Sequence, residues 1–178
     1  MARERLKTYW VEVPELNQKF AILTSKPDTI PGKLIKLDLT RMLKGRSMEA
    51  NLLVQKEGDK YFGDFVATKV AQSYIKRMMR KNISWIEDSF VVKSKDQQLR
   101  VKPFMITKKR IHRSVRKKLR ETTKELLIKF ISESKTKDVF EAVIRGGFQR
   151  EVSSQLKKIY PLAFFEIRVL KIEKPKLE

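Results

Sequence analysis

The chain contains no cysteine. Disulfides, zinc ribbons and thiol nucleophiles are therefore excluded together. Histidine is almost as scarce: His112 is the single example. A Ser–His–Asp arrangement can be assembled on paper from any chain with one histidine, so it carries no weight. The six glycines form no phosphate loop of the G-x-x-x-x-G-K type. No apolar run approaches the ~18 residues of a membrane-spanning helix. The opening MARERLKTYW lacks the apolar stretch of a secretory signal, so a cytosolic location is expected. Acid is also in short supply, with 21 Asp and Glu against 41 Lys and Arg, a formal charge of +20. Such an excess opposes compaction and is the electrostatic footprint of a protein that meets a polyanion.

Hydrophobic residues make up 41% of the 178 positions, enough for a core and of a length that fits one domain over 1–178. There is no internal repeat and no low-complexity linker. Residues 1–66 read mainly as strands. Tyr9–Val13 alternates and stops at Pro14, Phe20–Thr24 is a short apolar run, and Pro27, Pro31 and Gly32 mark a loop. A strand-like segment begins at Leu34. Ser47–Gln55 and Tyr61–Val66 flank KEGDK, a hairpin signal.

The remainder, 67–178, reads as helices plus a hairpin and a final strand. Thr68 is placed to cap a helix reaching Lys81. Ala71, Tyr74, Ile75, Met78 and Met79 form its apolar stripe, and Lys69, Lys76, Arg77, Arg80 and Lys81 fall largely on the other side, with Lys76, Arg77, Arg80 and Lys81 expected to contact RNA. Two strands, Ile83–Lys93 and Leu99–Thr107, surround SKDQQ. Helices follow over Lys108–Ser132, Asp138–Arg145 and Arg150–Ile159. Asp138 and Glu141 have capping-box spacing, and Gly146-Gly147 can end the second of these helices. Phe164–Ile172 is the last strand. The expected fold class is α+β: a curved, barrel-like sheet flanked by helices concentrated in the C-terminal half.

The segment ITKKRIHRSVRKKLRE carries the strongest functional signal. Eight of the thirteen residues from Lys108 to Arg120 are Lys or Arg, and no acid occurs between Gln97 and Arg120. At the helical period, Ile111, Val115, Leu119, Thr122, Leu126 and Phe130 cover one arc. Lys109, Arg113, Arg116, Lys117, Arg120 and Lys124 cover another. Leu127 and Ile131 take over the cationic angle beyond Lys124, which predicts a wet N-terminal half and a drier C-terminal half. A merely solvated face usually mixes signs through i,i+4 pairs; here such pairing starts only at Glu121. Cations at a helix N-terminus also oppose the helix dipole, at about 0.3–1 kcal/mol each at low salt. A bound phosphate reverses that sign. His112, within this segment, reads as a backbone or base contact rather than a catalyst.

Asp59/Asp64, Glu87/Asp88 and Glu133/Asp138 show no spacing typical of metal ligation, and no cofactor is implied. Tyr9 and Trp10 lie beside Arg3, Arg5 and Lys7 and can either stack on unpaired bases or pack in a strand. Trp85, Phe90, Phe164 and Phe165 read as core.

Five stretches, in order, resemble one family: KTYWVEV near the start, LKGRSMEANL at 43–52, KDQQLRVKPFMITKKR at 95–110, VRKKLRE at 115–121 and QLKKIYPLAFFEIRVLKI at 155–172. Together they resemble the archaeal and eukaryotic small-subunit ribosomal protein family called S-three-A-e, or eS-one. The resemblance implies a β-barrel flanked by helices on the platform of the small ribosomal subunit. It also implies contact with ribosomal RNA near its 3′ region, with neighbouring ribosomal proteins and with messenger RNA near the exit, and no catalytic activity. The matched basic positions are Lys44, Arg46, Lys108, Lys109, Arg110, Arg116, Lys117, Lys118, Lys157 and Lys158. Three features depart from the family: the basic N-terminal tail is reduced to MARERLK, VATKV stands at 66–70 in place of a helix start, and the segment between TKKR and VRKKLRE is short. They suggest a trimmed archaeal member.

The expected function is that of a structural, RNA-binding component of the small ribosomal subunit, in the cytoplasm and away from membranes. A DNA-binding chromosomal protein would show a helix-turn-helix or dimer seam. A metal-dependent RNA-processing nuclease would need convergent carboxylates. A basic amphipathic helix can also lie on lipid, but its apolar arc here holds no tryptophan.

Overall fold

The computed structural model describes residues 6–43 and 45–173. Two-residue alternation gives the strands β1 (Lys7–Val13), β2 (Gln18–Thr24), β3 (Leu34–Asp38), β4 (Met48–Glu57) and β5 (Lys60–Val70). A short helix α1 (Gln72–Met78) leads to β6 (Trp85–Glu87), β7 (Phe90–Lys93) and β8 (Gln98–Thr107). Three helices follow, α2 (Arg113–Glu133), α3 (Thr136–Arg145) and α4 (Gly147–Lys157), and β9 (Leu162–Ile172) ends the described chain.

The strands form a nine-stranded sheet along the path β2-β1-β5-β9-β8-β6, with β4 and β3 added through β5 and with β7 paired to β8. All pairings are antiparallel except β1 with β5. β5 ties the sheet together. One of its edges carries β4 from Lys60 to Val70. The other is shared, with β1 at Tyr61 and Phe62 and β9 at Ala67–Lys69. The mixed α and β composition and the C-terminal concentration of helices match expectation, but the sheet is not closed into a barrel.

Four local expectations are corrected. Thr68 does not cap a helix: it is buried inside β5, opposite Ala50 and Leu170. The alternating β-branched residues Val66, Thr68 and Val70 suit a strand with neighbours on both sides, so Lys69 is a strand residue and α1 starts only after Ala71. Ile83–Lys93 is broken at Asp88-Ser89 into β6 and β7. The break faces the register shift between β8 and β9 at Lys102/Pro103, where Arg168 of β9 is left without a partner in β8 and proline lacks a ladder donor. α2 begins at Arg113, not Lys108, because the preceding backbone is tied elsewhere. Lys108 N–H donates to the Pro161 carbonyl (3.3 Å), and Ile111 N–H donates to Ser84 Oγ (3.2 Å). Finally, α3 has Lys135 at its N-cap and no side-chain cap bond, so Asp138 and Glu141 form no capping box.

α2 spans two cores. Its C-terminal half puts Leu127 and Ile131 against Phe104, Phe140, Val143 and Ile167 in the larger cluster. Its N-terminal half puts Leu119 among Ile86, Met105, Ile111, Val152, Leu156, Leu162 and Phe165. Leu119, Thr123, Leu127 and Ile131 form the buried line at four-residue spacing, which drifts about 40° around the helix with each step. That drift is why Leu127 and Ile131 reach the angle held by Arg120 and Lys124 two turns earlier. Thr123, buried in this line, donates its hydroxyl back to the Leu119 carbonyl at 2.6 Å, the usual solution for a mid-helix threonine.

The second organising feature is a buried polar knot. Arg46, in the loop before β4, donates through Nη2 to the carbonyls of Val143 (3.1 Å) and Ile144 at the end of α3. Its Nη1 lies 3.5 Å from Glu166 Oε2 on β9, and the two side chains are only 16% and 5% exposed. Gln149 of α4 donates to the Val143 carbonyl (2.7 Å) and to Glu166 Oε1 (2.8 Å). Gly146, at φ 76, ends α3 with its N–H on the Ala142 carbonyl. A Cβ there would lie 2.7 Å from Arg46 Nη1, so glycine is required both by the left-handed backbone and by the guanidinium above it. Burial raises the Glu166 pKa above its ordinary value of 4.5, against the opposing pull of Arg46 and Gln149.

Two expected outcomes follow from this packing. Leu119 is fully buried, so Leu119→Ala should lower stability by about 2–5 kcal/mol in chemical denaturation; a loss below about 0.5 kcal/mol, the surface range, would refute the packing. Arg46→Ala leaves the buried Glu166 carboxylate without its cation and the Ile144 carbonyl without its side-chain donor, and should cost about 3–5 kcal/mol at neutral pH. Because the folded Glu166 pKa is raised, its ionisation disfavours folding as pH rises through that value. Removing Arg46 raises it further, so denaturation midpoints should show a larger deficit at neutral pH than near 4.5, the ordinary carboxyl value.

Candidate nucleic-acid interface

Lys108, Lys109, Arg110 and His112 occupy the loop between β8 and α2, and all are exposed. The loop is not free to wander. Thr107 Oγ1 donates within its environment to the Lys109 carbonyl (2.6 Å) and lies 3.0 Å from the Ser84 carbonyl, while Ser84 N–H donates to Thr107 Oγ1 at 3.2 Å. With Lys108 held on Pro161 and Ile111 on Ser84, a cationic loop is fixed to the edge of the sheet.

Arg113, Arg116, Lys117, Lys118 and Arg120 are exposed on the first two turns of α2. Arg113, Arg116, Lys117 and Arg120 line one groove of about 500 Å³ together with Glu121. Their acidic neighbours offset little of this charge: Lys117–Glu121 is 3.8 Å and Arg120–Asp88 is 4.0 Å, both largely solvent-exposed, and such pairs contribute about 0–1 kcal/mol. Among the described residues, no carboxylate forms an ion pair with Lys108, Lys109, Arg110, Arg113, Arg116 or Lys118. His112 is the N-cap of α2 and makes no side-chain cap bond. The first-turn N–H groups therefore receive no acceptor from the cap side chain, and free N–H groups at a helix start are complementary to phosphate oxygens.

A second cavity of about 380 Å³ adjoins the groove through Arg116 and is lined by Asn82, Ile83, Ser84, Trp85, Arg110 and Arg116. Trp85 was expected in the core, yet it is 55% exposed. The sequence signal for this was its place in a three-residue edge strand next to a cationic loop, visible only once the break at Asp88 is known.

The other predicted positions separate from this surface. Lys76 and Arg77 are exposed on α1, with Arg77 over the Tyr74 ring at 5.4 Å, and Arg80 and Lys81 are exposed in the turn that runs into Asn82. Lys157, at the end of α4, lines a different cavity with Arg145 and Arg150, two exposed cations that sequence reasoning passed over; Lys158 is exposed beside it. Arg46 is engaged in the polar knot and also lines this same cavity. Lys44, and Arg3 and Arg5 near Trp10, lie outside the described residues. Trp10 sits in β1 but is 59% exposed. Among the described residues no three His, Asp or Glu side chains stand close enough to share a metal ion, and no helix is long and apolar enough to cross a membrane.

Similar proteins include the small ribosomal subunit protein eS1 of Nanoarchaeum equitans, 27% identical over 153 residues that make up 83% of this chain and 77% of that protein. The protein of the same name from Methanobrevibacter smithii is 29% identical over 147 residues, covering 79% and 76%. That of Methanothermobacter thermautotrophicus is 33% identical over 104 residues, covering 58% of this chain and just 53% of its own length. The sequence profile of the Ribosomal S3Ae family matches residues 9–176, nearly the whole chain with its cationic loop, the N-terminal half of α2 and the polar knot, and the chain belongs to that family.

Proposed function

We propose that this chain is a single-domain structural component of the small ribosomal subunit, in the cytoplasm, that binds ribosomal RNA through the Lys108–Arg120 surface. The observation that carries the reading is that all eight cations between Lys108 and Arg120 are exposed while the opposite side of the same segment is packed into the core. A rigid, acid-poor surface suits folded RNA, which is bound mainly through phosphates and shape. The family is one of structural ribosomal components rather than enzymes. The resemblance noted in the sequence favours the subunit platform near the messenger exit, with messenger RNA passing close by.

Neighbouring ribosomal proteins belong to the same proposal. Trp10 and Leu23 are exposed at 59% and 65% on the outer face of the β1–β2 hairpin, where Trp10 pairs with Ala21 and Thr8 with Leu23. Exposed apolar side chains grouped in this way suit a protein contact. No feature of the described residues favours the chromosomal or nuclease readings.

Affinity for a small-subunit ribosomal RNA fragment should fall with log salt at a slope of about −4 to −5 if roughly six cations engage phosphates. A flat dependence in a filter-binding or anisotropy titration would remove the reading. Changing Arg113, Arg116, Lys117 and Arg120 together to Gln should make that slope shallower by about 3 units. The fold should survive, with thermal stability equal or slightly higher as repulsion at the start of α2 is relieved. Unfolding of the quadruple variant would show that the face is structural instead.

A further inference from the structure

Trp85 stands in water although the residues on either side of it, Ser84 and Ile86, are buried. Its backbone is fixed. Ser84 N–H donates to Thr107 Oγ1, Thr107 N–H donates to the Ser84 carbonyl at 2.9 Å, and Trp85 itself pairs with Ile106 of β8. Among the described residues β6 pairs only with β8, so Trp85 lies on a sheet edge. A large aromatic side chain is thus presented on a rigid support without the burial that normally accounts for it.

What surrounds it narrows the occupant. The cavity beside the indole is lined by Arg110 and Arg116 and by the amide of Asn82, and no carboxylate is among its lining residues. Asn82 is held at φ 59, a left-handed conformation that asparagine tolerates better than most residues. Arg116 also belongs to the neighbouring groove with Arg113, Lys117 and Arg120, so the cavity is continuous with the phosphate-binding surface. A flat aromatic face beside cations is the chemistry that holds an unpaired base and its backbone. A continuous duplex keeps its bases stacked inside the helix and has none to offer the indole.

We propose that Trp85 is a stacking platform for one unpaired RNA base, with the flanking phosphates on Arg110 and Arg116 and the Asn82 amide at the base edge. This rests on the reading of the Lys108–Arg120 surface as an RNA interface and adds the class of RNA it takes: a bulge, loop or single strand at this end of the surface.

The chain has two tryptophans, so a Trp10→Phe background isolates the Trp85 signal. The probes are a mixed-sequence single-stranded RNA and the same strand annealed to its complement. Trp85 fluorescence should be quenched by the single strand and not by the duplex. Trp85→Ala should weaken single-strand binding by roughly five- to a hundredfold, the effect of losing one stacked base. Trp85→Phe should retain most of the affinity, and duplex affinity and salt slope should be unchanged in both variants. Equal quenching by the two probes, or wild-type single-strand affinity in Trp85→Ala, overturns the platform. A steep salt slope in that case leaves the phosphate-binding surface standing, whereas a flat slope overturns both. The fluorescence titration uses the unsubstituted Trp85, so it decides the matter even where Trp85→Ala fails to fold.

Discussion

The contact between Arg46 and Glu166 ties the loop before β4 to β9 and, through the same guanidinium, to the end of α3. One guanidinium meets the loop before β4, the last turn of α3, the start of α4 through Gln149, and β9. Removing two charges from water is costly, and mutual attraction alone does not guarantee a return. Here the desolvation is offset by making the same cation donate to the Val143 and Ile144 carbonyls at the end of α3. The turn at Gly146 follows from this arrangement, since no side chain fits between the helix end and the guanidinium. α3 and α4 are consequently fixed to each other and to β9, and α4 provides the wall against which Leu119 of α2 packs through Val152 and Leu156.

That wall explains how the chain tolerates its cationic segment. Repulsion among the exposed cations of α2 acts to fray the helix start, where the dipole is also unfavourable. Apolar contacts from Ile111, Leu119 and the residues beyond oppose it, and hydrogen bonds to Ser84 and Pro161 hold the preceding loop. The cationic surface is therefore built at some cost in stability, which the core beneath it offsets. A single helix joins the two roles: its wet half presents charge, and its dry half is part of the larger core together with α3 and the sheet.

The basic residues around α2 differ in kind despite identical chemistry. Arg116 is shared between the groove of α2 and the cavity beside Trp85, so it links the surface proposed for the RNA backbone to the one proposed for a base. Arg46, which belongs to an equally conspicuous basic stretch, LKGR, is turned inward. Lys157 lies with Arg145 and Arg150 around the cavity that Arg46 also lines, away from the groove of α2. Charge count alone treats these residues as equivalent; burial and neighbours separate them.

Much of this was readable from residue order. The alternation in β1, β4 and β9, the hairpin turn at KEGDK, the glycine stop at Gly146 and the exposed cationic arc of α2 depend on local period and local charge, which tertiary contacts here reinforce. The remainder depended on partners distant in sequence. Thr68 has a helix-cap side chain, but two neighbouring strands claim its backbone. Lys108–His112 have helical spacing, but Ser84 and Pro161 take their hydrogen bonds. Arg46 and Trp85 exchanged places, the expected surface cation going inside and the expected core aromatic going outside. Neither outcome is encoded near the residue itself: one is decided by a carboxylate 120 positions away, the other by which edge of a sheet remains unpaired.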